Sequence, residues 1–92
     1  MIASSYDPNG DVLYVVVEKA AAWSDEQPDG LLFRYSYNGD APIGVTVFSF
    51  SRWRDNSQAL ATRIAGFLKA PKSEVLSEIQ KQASPPNAHT PA

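Results

Sequence analysis

The chain changes its hydrophobic rhythm once, near residue 50. Before that point apolar side chains recur at the two-residue period of a half-buried strand, and after it at helical spacing. Residues 2–6 read as a short first strand and residues 12–18 as a second, valine-rich one. Residues 31–37 alternate cleanly: Leu31, Phe33, Tyr35 and Tyr37 share one face, and Leu32, Arg34 and Ser36 the other. Ile43, Val45 and Val47 then point one way, and Gly44, Thr46 and Phe48 the other. Pro42 has no backbone donor and belongs at a strand start or an edge. Asp7-Pro8-Asn9-Gly10-Asp11 and Asn38-Gly39-Asp40 carry hairpin-turn chemistry, proline presetting φ and Asn-Gly tolerating positive φ. Residues 19–30 read as an irregular crossing whose polar second half is a surface loop, with Trp23 against the sheet edge.

After Phe50 the stripe Leu60, Ile64, Phe67 and Leu68 marks an amphipathic helix. Asp55 and Gln58 are spaced to cap it, and Gly66 inside it suggests close packing at that point. Lys69-Ala70-Pro71 ends the helix, and Val75, Leu76 and Ile79 form the stripe of a second. The expected architecture is α+β: a four-stranded antiparallel β-meander over about residues 2–50, with two C-terminal α-helices over about 55–82 packed on one face. Residues 1–82 form the single domain. Residues 83–92, with three prolines and no large apolar side chain, are expected to be a disordered tail.

Three strand segments carry a resemblance. Tyr6-Asp7-Pro8-Asn9-Gly10-Asp11-Val12-Leu13-Tyr14 resembles the opening signature of the domain of unknown function 2283 family (DUF2283), a Tyr-Asp-Pro turn followed by Asp-x-Leu-Tyr. Asp29-Gly30-Leu31-Leu32-Phe33 and Gly39-Asp40-Ala41-Pro42-Ile43-Gly44-Val45 are similar to its later strand signatures, in the same order. The likeness covers about residues 3–51. That family usually follows its last strand with an acidic residue and a small one, where this chain has Ser49 and Phe50. It is bacterial or archaeal and has no assigned reaction, so the resemblance implies a fold rather than a chemistry. It also implies a parity that periodicity leaves open, since residues 12–17 are apolar on both faces. Leu13, Val15 and Val17 would face the helices beside Leu31, Phe33, Tyr35, Ile43, Val45 and Val47.

Composition then narrows the chemistry. Ninety-two residues at 43% hydrophobic content make one ordinary domain. No cysteine is present, which removes thiol catalysis, thiolate metal sites and disulfides and fits a cytoplasmic setting. No apolar run approaches the roughly 20 residues of a membrane span, and no signal peptide is evident. The only histidine, His89, lies in the expected tail, and the carboxylates cluster in turns. No phosphate loop, nucleophile elbow or metal-ligand spacing appears, so no enzyme, cofactor or metal is expected. The stretch DPNGDVLYVVVE places Asp7, Asn9, Asp11 and Glu18 at EF-hand ligand positions. Its sixth position is Val12 rather than glycine, however, and a strand follows rather than a helix.

With that parity, the sheet face away from the helices carries Tyr14, Val16, Leu32 and Phe48, with Arg34 and Thr46 among them and Phe50 and Trp53 at its end. Either the loop around Trp23 or the second helix folds over these groups, or the face is an interface, for a homodimer or an unidentified protein partner. A non-catalytic association module is the expectation. The alternative is a nucleic-acid-binding or regulatory protein, for example the antitoxin-like partner in a two-gene locus. For nucleic acid, Arg52 and Arg54 flank Trp53, with Arg63 following. Against it, the net charge is −2, and the basic residues are spaced like an ordinary helix surface.

Overall fold

A computed structural model describes residues 2–83. Five strands form one antiparallel sheet: β1 (Ala3–Asp7), β2 (Val12–Val16), β3 (Ala22–Glu26), β4 (Leu31–Ser36) and β5 (Pro42–Phe48). A 3-10 segment, Phe50–Asn56, leads into α1 (Ser57–Leu68), and α2 (Lys72–Ala83) follows. The expected tail falls on residues 84–92, outside the described residues, apart from Ala83, which closes α2.

Two expectations about the sheet are corrected. It has five strands rather than four, and its order β1-β2-β5-β4-β3 is not a simple meander. The additional strand, β3, lies inside the stretch that reads as an irregular crossing. Its acidic, polar side chains resemble a loop because it is an edge strand, where charge blocks further pairing. β5 is buried along most of its length and on both faces, so it takes the centre, between β2 and β4. The chain therefore crosses from β2 to β3 over residues 17–21. This crossing is anchored where Val17 N–H meets the Ile43 carbonyl (2.8 Å) and where Tyr37 N–H meets the Ala21 carbonyl (3.4 Å).

The core lies between one face of the sheet and the helices. Leu13, Val15, Leu31, Phe33, Val45 and Val47 meet Leu60, Ile64, Leu68, Val75 and Ile79 there. Leu13 and Val15, the odd-numbered residues of β2, thus face the helical layer. Three side chains depart from the alternation. Val17 lies past the end of β2 and is 41% exposed, and Tyr37 turns out of β4 and is 68% exposed. Ile43 drops out of the core cluster because Arg34 pairs with Gly44 while Tyr35 pairs with Pro42, which leaves Ile43 at a register shift.

Polar staples tie the layers at three places. The Asp11 carboxylate accepts from Tyr6 Oη (2.7 Å), Ser51 Oγ (2.6 Å) and Ser51 N–H (3.1 Å), joining the first turn to the 3-10 segment. Asp29 pairs with Arg63 Nε at 2.7 Å, joining the β3–β4 turn to α1. Ser4 Oγ donates to Glu78 (2.7 Å) while Gln82 donates to Ser4 Oγ (3.1 Å), which fastens α2 to β1.

Candidate functional site

The register fixes what the reverse face presents. One row across the strands reads Ser5, Tyr14, Thr46, Leu32, Glu26, and the next reads Ala3, Val16, Gly44, Arg34, Ser24. On the other side of the Thr46 row, Asp7, Val12 and Phe48 lie abreast. Helices α1 and α2 pack on the opposite face, and Trp23 also points there, stacked on Tyr35 at 4.3 Å. Neither the loop nor the second helix folds over the reverse face. Tyr14 remains 39% and Phe48 47% exposed, with Val16 and Leu32 half-buried.

The face has relief. Gly44 and Thr46 are the two small residues of β5 on this side, and they floor a trough of about 220 Å³. Tyr14 and Val16 wall one side and Arg34 the other, while the crossing at Lys19 closes one end. The glycine keeps the floor low: a Cβ on Gly44 would crowd the Val15 carbonyl oxygen at 3.1 Å and Val16 Cγ1 at 3.3 Å. Phe48 stands two residues beyond Thr46, away from the trough. It also borders a second depression of about 450 Å³ shared with Arg52, Trp53 and Asn56.

One member of the expected interface lies elsewhere, in the core. Phe50 is 4% exposed and packs edge-on against Tyr6 at 5.6 Å in the core. The positive φ of Ser49 (55°) turns the chain over the end of the sheet, which breaks the strand alternation that places Phe50 on the reverse side. Trp53 is half-buried against the rim of the core. The arginines do not form one surface either. Arg63 is taken by Asp29 and lies over the Phe33 ring at 5.2 Å, whereas Arg52 and Arg54 stay exposed on the 3-10 segment.

The calcium-like stretch is a structural turn. Asp7 accepts from Asn9 N–H (3.0 Å), and Glu18 lies past the far end of β2. The Ser51 and Tyr6 hydroxyls hold the Asp11 carboxyl below the usual carboxylate range, and the same bond to Asp11 pushes the Tyr6 phenol up. Asp11 is therefore a committed acceptor rather than a proton carrier. Among the described residues no cluster of three or more His, Cys, Asp or Glu could hold a metal, and no helix is long and apolar enough to cross a membrane.

The sequence reading missed the Ser4–Glu78–Gln82 cluster and the partner of Asp11. Ser51 is forty residues from Asp11 and has no local signal, whereas the pairing of Tyr6 with Asp11 is foreshadowed by the turn between them. No known protein family, no curated protein and no solved structure matches the chain.

Proposed function

We propose that the protein is a non-catalytic association module that binds another protein surface through the reverse face of its sheet. One observation carries this reading: Tyr14 and Phe48, exposed, and Val16 and Leu32, half-buried, stand on a sheet face that neither helix covers, while both helices pack on the other. Apolar groups gathered on one face that no element covers are a common feature of interfaces, whose cores are apolar and whose rims are polar. The carboxylates with depressed pKa values, on Asp11, Asp29 and Glu78, are each engaged in joining elements, which leaves them a structural role.

Affinity capture from native cells tests it, with the wild-type chain compared against Tyr14→Arg. The wild-type chain should retain a defined protein, copies of itself included, and the variant should lose it while keeping its fold. Retention of the same proteins by both would refute the face as the binding surface. Recovery of nucleic acid through Arg52 and Arg54 would favour the alternative.

A further inference from the structure

We infer that the surface received by the reverse face is a second copy of the same face, with Phe48 of each chain seated in the Gly44 trough of the other. This rests on the association reading above and adds the partner and its geometry.

Phe48 and Gly44 lie on the same strand and the same face, each two residues from Thr46. Phe48 is a half-exposed knob, and Gly44 floors a hole. Two sheets that meet face to face by a two-fold operation have their axis in the plane between them. An axis running across the strands over Thr46 lays β5 of one copy antiparallel over β5 of the other. At about 3.4 Å per residue, knob and hole each sit roughly 7 Å from that axis, on opposite sides. One rotation therefore puts Phe48 over Gly44 of the other copy, twice, and sets Tyr14, Thr46 and Leu32 each over its own counterpart along the axis. The fit in size is adequate, because an apolar cavity of about 150 Å³ already accepts a benzene ring, and the trough offers about 220 Å³.

Charge follows the same symmetry. Arg34 lies in the Gly44 row, half-buried between Ser24 and Gly44, with no ion pair among the described residues. The rotation sets Glu26 over Glu26 on the axis and carries each Arg34 over Gly30 of the other copy, one row and one strand away, so two arginines flank the facing carboxylates; Glu26 likewise has no ion pair among the described residues. An arginine is long enough to bridge that offset, and partial desolvation strengthens the pair.

The test joins light scattering over a concentration series to isotope-filtered NMR on a mixture of labelled and unlabelled wild-type chain. The expected result is a dimer with cross-copy contacts from the Phe48 ring to Gly44. Phe48→Ala should raise the dissociation constant at least about tenfold, the loss expected when one aromatic anchor leaves an interface core. Lys72→Ala, exposed on α2, should leave it unchanged. A dimer with cross-copy contacts on the reverse face but none between Phe48 and Gly44 overturns this geometry and leaves the association reading standing. A strictly monomeric mass at every concentration overturns the second copy as partner, and the capture experiment then decides the association reading separately. A dimer joined through another surface overturns both.

Discussion

Gly66 shows how one position reads differently in the chain and in the fold. Inside a helix it suggests a close approach, yet it is exposed, and a Cβ built there meets nothing within 4 Å. Gly66→Ala should therefore raise stability, by up to about 1 kcal/mol, because alanine restricts the unfolded chain and fits the helix; urea unfolding measures it. Gly44 is the opposite case, since its missing Cβ is what lets β2 pass close by. Asp11 sits at positive φ (57°) and gathers its bonds from both sides of the first turn. Asp11→Ala should lower the melting temperature by several degrees, and Asp11→Asn by less, because asparagine tolerates that backbone conformation and keeps one acceptor oxygen. The Tyr6 phenol reports the same contact: in Asp11→Asn its pKa should fall back toward the ordinary tyrosine value, read by ultraviolet titration.

At the scale of elements, the fold depends on staples between segments far apart in the chain. Asp11 holds the 3-10 segment, Asp29 holds α1 through Arg63, and Glu78 holds β1 against α2 through Ser4. Each of the three carboxyl pKa values is depressed. Ser51 is the main cause for Asp11, Arg63 for Asp29 and Ser4 for Glu78. A depressed folded value means that the unfolded chain binds more protons once pH enters the ordinary carboxyl range, at about 4. The stability they contribute is therefore complete above that range and is lost as pH falls through it toward the folded values. Denaturant midpoints should be level from neutrality down to about pH 5 and fall steadily below about pH 4. Replacing all three by their amides should lower the plateau and flatten that fall. The Asp29–Arg63 pair is partly exposed, so its own share is modest, below about 1 kcal/mol.

At the scale of the molecule, one sheet serves two purposes. Its helix face forms the core, where Phe33 stacks on Phe67 at 3.9 Å and Tyr35 meets Phe67 edge-on at 5.1 Å. Its reverse face keeps aromatic and aliphatic groups on the surface, at Tyr14, Val16, Leu32 and Phe48. If that surface is buried in a dimer, association removes apolar area from water and must carry a negative heat-capacity change. Dilution calorimetry at several temperatures should show the enthalpy of dissociation rising with temperature. A flat enthalpy would point to a polar contact elsewhere. The asymmetry of charge along the chain, −5 over residues 1–50 and +3 over residues 51–92, is spent partly within the molecule, since Asp29 from the first part pairs with Arg63 from the second.

The sequence by itself determined the class of every strand and α-helix except β3, and the buried face of β4, β5 and the two helices. Strand alternation, turn residues and helical stripes are local properties, and Leu31, Phe33, Val45, Val47, Leu60 and Ile64 all lie where their periods place them. Alternation also placed Leu32 and Phe48 on the second face, whereas Tyr14 and Val16 sit in a stretch apolar on both sides, and only the packing of Leu13 and Val15 against the helices settled their direction. Strand order was decided only in three dimensions, where burial on both sides sends β5 to the centre and an acidic composition sends β3 to the edge. Tertiary structure alone also took Phe50 into the core, at a backbone turn that side-chain pattern does not encode, and joined Asp11 to Ser51 and Asp29 to Arg63 across long stretches of chain. Periodicity reports the local environment of a residue, whereas partners distant in sequence are chosen by which elements the shared core brings together.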